Sequence, residues 1–233
     1  MKSEPEEVAT RYARRQQPER YSLLRPDVWQ SVQERQRAML RLFVELGFTD
    51  LSALRLLEVG CGSGNNLLEL LRMGFLPQNL SGVELLPERF LAARAVLPAA
   101  LHLFEGDALN MNVPAQSRDI VFVSTVFSSL LDDAFQQRLA DAMWAWVKPG
   151  GGVLWYDFTV NNPRNADVRG VPLKRVHALF PQAQMRSKRV TLAPPLARAV
   201  TKLHPSLYSV LHAAVALRTH CLTWLAKSVC QRL

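Results

Sequence analysis

Leu56-Leu57-Glu58-Val59-Gly60-Cys61-Gly62-Ser63-Gly64 is the stretch on which the fold turns. An apolar run over residues 54–59 ends in glycines at alternate positions, and apolar residues then recur at Leu67, Leu68, Leu70 and Leu71. The period passes from that of a strand to that of a helix across the glycines, which predicts strand, tight loop, helix. Glycine lets the backbone turn sharply and approach a ligand closely. The spacing also excludes two other nucleotide loops. A dinucleotide fingerprint needs GxGxxG, but the third glycine falls on Asn65 counting from Gly60 and on Leu67 counting from Gly62. No Gly-Lys-Ser/Thr follows, so a Walker-type phosphate loop is absent.

The same unit recurs downstream. Residues 80–84, 101–105, 120–124 and 152–158 read as short apolar strands, with helices over 89–96 and 135–147. The second of these helices is closed by Lys148-Pro149-Gly150. Short buried strands alternating with helices imply a parallel sheet covered on both faces. Upstream, residues 27–47 predict a helix with Asp27 as N-cap and Gly47 at the C-cap, preceded by a shorter helix over 5–16. Beyond residue 158 the pattern loosens. A helix over 173–180 and a strand over 185–192 precede Pro194-Pro195, and a long helical stretch over about 196–217 is broken or kinked at Pro205. Residues 220–226 read as a last strand.

Composition sets outer bounds. The chain has 233 residues, 48% hydrophobic and 21% charged, enough to bury a core. Neither internal repeats nor low-complexity tracts occur. The largely polar first 20 residues do not read as a secretory signal. Cys61, Cys221 and Cys230 are odd in number and lack CxxC spacing, which argues against a disulfide framework or a zinc site and fits a reducing cytoplasm. No metal is expected. A net charge of +8 raises the question of nucleic acid or an anionic membrane. The basic residues read as scattered solvated surface, so nucleic acid is not expected and membrane association is at most weak and peripheral. Residues 203–217 carry no Lys, Arg, Asp or Glu, but 15 residues fall short of the roughly 20 that span a bilayer. They read as a buried helix or the lid of an apolar pocket.

The glycine stretch resembles the first motif of class I methyltransferases that use S-adenosylmethionine (SAM), an acid followed by GxGxG. The later motifs follow in the expected order: Gly82-Val83-Glu84, Glu105-Gly106-Asp107-Ala108, Asp119 to Ser124, and Val147-Lys148-Pro149-Gly150-Gly151-Gly152. The resemblance covers roughly residues 50–160. It implies an α/β, doubly wound, mostly parallel seven-stranded sheet with N-terminal helices and a C-terminal helical insertion. One domain is expected over 1–233, divided into a helical cap (1–49), a SAM-binding core (50–160) and a substrate-side segment with the last strands (161–233).

The resemblance further implies a cofactor site built from Glu58, Gly60, Cys61, Gly62, Gly64, Glu84, Leu85, Gly106, Asp107, Ala108 and Ser124. Glu84 is placed to accept bonds from two ribose hydroxyls, so its removal should cost cofactor affinity and leave stability almost unchanged. In this fold an N-terminal helix commonly closes over the cofactor. Arg15, beside Tyr12 and Arg14, is a candidate partner for the methionine carboxylate, and a solvated basic helix face is the competing reading.

Tyr156-Asp157-Phe158 and Asn161-Asn162-Pro163-Arg164-Asn165 resemble a bacterial group of small-molecule or saccharide methyltransferases, which implies O-methylation of a saccharide or secondary metabolite. An RNA methyltransferase and a catalytically silent partner subunit are the alternatives. The Asn-Pro-Pro-Tyr signature of nitrogen methyltransferases is absent after the fourth strand, where Ser124-Thr125-Val126-Phe127 stands. A hydroxyl acceptor needs a base, and Asp157 at the end of the fifth strand and His220 are the candidates. Asp157 reads equally as a loop-capping acid, and His220 and His177 as structural histidines. Phe127, Tyr156, Asn161, Asn162, Arg164 and Tyr208 are the candidate substrate contacts. The acceptor is expected between the polar loop 161–169 and an apolar lid carrying Leu207, Tyr208 and Leu211, with Arg218 as a second candidate anion partner.

Overall fold

The computed structural model describes residues 2–14, 22–162 and 165–229. Helices α1 (Glu4–Ala13) and α2 (Pro26–Glu45) precede an alternation of strands and helices. These are β1 (Leu56–Val59), α3 (Asn65–Met73), β2 (Leu80–Glu84), α4 (Pro87–Val96), β3 (His102–Glu105), β4 (Arg118–Ser124), α5 (Asp133–Trp146), β5 (Val147–Phe158), α6 (Leu173–Leu179) and β6 (Gln184–Leu192). Then come α7 (Pro194–Leu203), α8 (Leu207–His212) and β7 (Arg218–Ala226). The seven strands form one sheet in the order β3-β2-β1-β4-β5-β7-β6. All pairs from β3 to β5 are parallel, and β7 runs antiparallel to both β5 and β6. The expected seven-stranded, mostly parallel architecture is therefore present, and the C-terminal helical insertion is α7 and α8.

Alternation along the strands divides the core into two layers. Leu57, Val59, Val121, Val123, Val153 and Trp155 face α5 and α6. Leu56, Ile120, Phe122, Leu154 and Tyr156 face α2, α3 and α4. Strands buried on both faces need apolar residues at nearly every position, as β4 has over 120–123 and β5 over 153–156. The acids at Glu58 and Asp157 stand out in such strands.

Several boundaries differ from expectation for local reasons. Helix α2 opens with Pro26 in its first turn and Arg25 at the cap, so Asp27 sits inside the helix and is not its N-cap. Proline is favoured there because its missing N–H would be unpaired anyway. Gly47 does end the helix, at φ +78°, with its N–H bonded to Val44 O and that of Phe48 to Phe43 O. The long C-terminal helix is split between Leu203 and Leu207, around Pro205.

The burial expected of residues 203–217 does not hold. Leu203 is 80% exposed, Val210 65% and Val215 52%, while Tyr208 is buried. The insertion packs on α2 and β6, where Leu192, Ala197 and Tyr208 form a small core of their own. It therefore flanks the sheet on the α2 side and does not roof β4 and β5.

Candidate active site

At the carboxyl ends of β1, β2 and β4 lies a cleft enclosing about 110 Å³. Gly60 brings the glycine loop to its lining. Gly60 and Cys61 both donate their N–H groups to Val83 O, at 2.9 and 3.0 Å, tying the loop to β2. Gly60 adopts φ +68°, and a Cβ there would stand 2.5 Å from Val126 Cγ2, so only glycine fits. Cys61, like Gly62, does not line the cleft. Its side chain is buried, and burial pushes its thiol far up, leaving it neutral. Gly62 donates to Glu84 Oε2 at 2.7 Å, and Leu86 N–H donates to Glu84 Oε1 at 3.0 Å. Glu84 is thus 4% exposed and bonded at both oxygens, a part of the fold as well as a wall of the cleft.

The remaining walls bring together most of the expected cofactor set. Leu85, Gly106, Asp107, Ala108 and Ser124 all line the cleft. Gly106 donates its N–H to Glu84 O at 2.8 Å, and Asp107 caps the turn at Ala108–Asn110 through Leu109 N–H at 3.0 Å. Thr125, next to Ser124, holds φ +54°, a strained conformation for a β-branched residue. Such strain collects at functional sites.

Glu58 and Gly64 sit behind this wall. Glu58 is fully buried. Asn66 Nδ2 donates to its Oε1 at 2.6 Å, while Oε2 has no partner among the described residues. Burial raises its carboxyl to about 8 against the pull of Asn66 and Arg35. Arg35 donates to Asn66 Oδ1 at 2.7 Å and to Glu69, and lies over the Tyr156 ring.

Helix α1 roofs the cleft with Pro5, Val8 and Tyr12. It is pinned to the segment after β4 through Arg11 and Glu4, which also pair with each other within the helix at 2.6 Å. Arg11 also donates to Ser129 O at 3.0 Å, and Glu4 accepts from Leu131 N–H at 2.7 Å. Arg14 pairs with Asp167 at 2.8 Å, and Arg15 lies outside the described residues. The cation that does reach the cleft is Arg89 of α4, which the motifs do not single out. Its guanidinium lies 5.2 Å from the Tyr12 ring centroid and packs on Gly62. Arg89 is the one Lys or Arg among the described lining residues. Its signal in the sequence is its place five residues after Glu84, on the first turn of a helix that starts at the cleft.

The expected catalytic and substrate residues fall elsewhere. Asp157 is 2% exposed and accepts from Ser128 N–H at 3.0 Å and Phe158 N–H at 2.9 Å. Burial raises it to about 7, with those N–H groups opposing. It anchors the loop after β4, the second of its two readings, and does not line the cleft. Asp157→Asn keeps one acceptor oxygen and presents an amide to the other N–H. We expect a loss of about 1.5–3 kcal/mol in urea unfolding with unchanged ligand affinity; lost affinity at unchanged stability would return Asp157 to the chemistry.

His220 is stacked on Tyr156 at 5.2 Å, and burial lowers it to about 4, so it is neutral and away from the cleft. Tyr156 bonds Thr191 Oγ1 at 2.9 Å, and burial raises its phenol to about 12. Phe127 packs on Trp155 with centroids 4.5 Å apart, fully buried. Tyr208 is closed off by Leu192 N–H and Ser31. These three aromatic side chains fill the interior, each in a different core cluster: Phe127 in the layer under α5, Tyr156 in the layer under α2, and Tyr208 in the core of the insertion. Asn161 accepts from Gly170 N–H at 2.9 Å and braces its loop. Asn162 is exposed, and Arg164 lies outside the described residues. His177 is exposed on α6, and Arg218 is held by the carbonyls of His212 and Arg189.

Residues 56–151 match the family model described as a methyltransferase domain. Comparison with curated proteins gives no match. Among solved structures the chain is similar to a SAM-dependent methyltransferase from Archaeoglobus fulgidus, with 13% identity and a TM-score of 0.57 over 81% of this chain and 91% of that one. A SAM-dependent methyltransferase from Mesorhizobium loti gives 14% identity and 0.55 over 82% and 95%. Phosphoethanolamine N-methyltransferase 2 of Haemonchus contortus, solved with SAM, gives 16% and 0.57 over 83% of this chain and 52% of that one. At these identities the likeness speaks to the fold.

Proposed function

We propose that this chain, which has a class I methyltransferase fold with its methyltransferase domain at residues 56–151, is a SAM-dependent methyltransferase acting on a small molecule. The observation that carries the reading is the cleft: a glycine loop that a Cβ would obstruct at Gly60, joined to an acid at the end of β2 and one cation opposite. SAM supplies a sulfonium methyl that is already activated, so the protein's work is alignment and exclusion of water. Glu84 pins Gly62 and offers its remaining lone pairs to ribose hydroxyls. Asp107, Leu85 and Ala108 border the adenine end, as the motif implies.

The acceptor reading rests on the roof. Helix α1, held by the bonds of Arg11 to Ser129 O and of Leu131 N–H to Glu4, leaves a narrow space bounded by Val8, Ser129, Leu130, Phe135 and Leu139. Such a space suits a compact, partly apolar acceptor better than a polynucleotide. Among the described lining residues both carboxylates, Glu84 and Asp107, stand at the cofactor end and there is no imidazole. We therefore favour an oxygen acceptor acidic enough to lose its proton without a strong base, such as a phenol or enol. Incubation with methyl-labelled SAM and matched phenolic and saccharide acceptors tests this; label in the saccharides alone would overturn the phenol or enol reading. Calorimetric binding of NAD in preference to SAM would overturn the whole assignment.

Arg89 is assigned to the methionine carboxylate, the one anionic group SAM brings into a cleft that otherwise holds acids. Arg89→Met should weaken SAM and its demethylated product roughly 10-fold, the worth of one charge-assisted bond at a partly exposed site. Affinity for 5′-methylthioadenosine, which lacks the amino-acid end, should not change. An equal loss for both ligands would mean that Arg89 serves the nucleoside or the fold.

A further inference from the structure

We infer that the insertion between β6 and β7 is a docking surface for an anionic lipid bilayer. The charge of the chain is divided unequally. From Val168 to Leu233 there are eleven Lys and Arg and no Asp or Glu, so the first 167 residues carry −3 and the remainder +11. Asymmetry of this kind points to an anionic partner. Some of these cations serve the fold. Arg169 and Arg175 meet Asp133, and Lys188 meets Glu45. Cations along β6, the outermost strand, also discourage edge pairing.

The cations of the insertion have no such duty. Only Leu192, Ala197 and Tyr208 form its buried core. Leu203, Val210 and Val215 stand outward, and Ala213, Ala214 and Ala216 beside them are exposed. Arg198 and Lys202 of α7 take part in no ion pair among the described residues. Arg37 and Arg218 add positive potential at His212 of α8. The one acid facing this group is Glu34, which is buried, accepts Thr191 N–H at 2.8 Å and meets His212 at 3.2 Å. The outer face is thus apolar and cationic, with its nearest acid buried beneath it.

Exposed aliphatic side chains among cations suit the interfacial zone of a negatively charged bilayer. Single-stranded RNA would call for stacking rings, and the insertion's one ring outside its histidines, Tyr208, is buried. Topology sets the consequence. Leu192 and Arg218 are paired, and Phe158 at the end of β5 is paired with His220. The insertion therefore leaves the sheet at the carboxyl-end rim that also carries the cleft, so docking would bring the cleft toward amphiphilic molecules at the surface.

The test is co-sedimentation of the full chain with vesicles of phosphatidylcholine alone or mixed with phosphatidylglycerol. Binding is expected to the mixed vesicles only. Arg198→Gln with Lys202→Gln should weaken it by on the order of 25-fold, about fivefold for each cation near the surface. Leu203→Ser with Val210→Ser should weaken it at constant charge and, both sites being exposed, should leave the melting temperature unchanged. The inference is overturned if mixed vesicles are not bound, or if neutral ones are bound as well. It is also overturned if a single-stranded RNA oligonucleotide binds more tightly than the vesicles, through the cations and without regard to Leu203 and Val210.

Discussion

Glu84→Ala is expected to lower SAM affinity roughly 10- to 100-fold and to destabilise the fold by about 2–6 kcal/mol. The two effects share one cause. The carboxylate is 4% exposed and accepts from Gly62 N–H at 2.7 Å and Leu86 N–H at 3.0 Å. Its removal strands two donors, each costing about 1–3 kcal/mol when buried. It also frees the middle of the glycine loop, so ribose contacts and loop geometry are lost together. The motif alone implies that stability survives this change; the backbone bonds overturn that expectation. Calorimetric titration with SAM and urea unfolding measure the two quantities. Glu84→Gln should recover part of the stability through one retained acceptor and little of the affinity. A folded Glu84→Ala variant with unaltered SAM affinity would remove Glu84 from the site.

Glu58→Gln should make the protein more stable above about pH 4.5, by an amount that grows until about pH 8 and is then constant. Burial holds the folded carboxyl at about 8, whereas an ordinary glutamate titrates near 4.5. The folded state then binds a proton that the unfolded state has released. Stability attributable to this group is complete below about pH 4.5, falls by up to roughly 1.4 kcal/mol per pH unit above it, and levels off once the folded carboxyl ionises near 8. Glutamine keeps the bond from Asn66 to Oε1 and does not titrate. Unfolding curves of the two proteins should therefore lie close together near pH 4.5 and separate by several kcal/mol at pH 8–9. Asp157, raised to about 7 by burial, contributes a similar slope to both proteins and cancels in the difference. Parallel curves across this range would mean that Glu58 is already ionised in the fold, compensated by Arg35 nearby.

Helix α1 shows how much of the cleft depends on contacts distant in sequence. The arginines at its end, Arg14 and Arg15, read as partners for the cofactor. In the structure Arg11 turns inward to Glu4 and Ser129 O and Arg14 reaches Asp167, while Arg15 lies outside the described residues. Ser129 and Asp167 lie 118 and 153 residues away from those arginines, and no local pattern identifies them. Arg89 is the converse case. Its position after β2 is readable, but its reach across Gly62 to Tyr12 exists only once α1 has docked.

The features legible in the residue order are the local ones. Glycines at 60, 62 and 64 break a β pattern and begin a helical one, and Glu84 and Asp107 mark the carboxyl ends of β2 and β3. Proline and glycine mark where α2 begins and ends, and proline opens α7. These are properties of neighbouring residues, so the alternation of elements and most of the cofactor wall follow from them. Side-chain facing is different, because a strand places successive residues on opposite sides and only packing decides which side meets the cleft. Tyr156 and Asp157 run to the rim on the strand paired with Ser124, yet one fills a core and the other caps a loop. Tyr208 reads as a lid because its neighbours are apolar, and it is a plug because α2 and β6 offer the nearer apolar surface. Which apolar stretch covers which surface is settled by the competition among all of them for burial, and only the tertiary structure records its outcome.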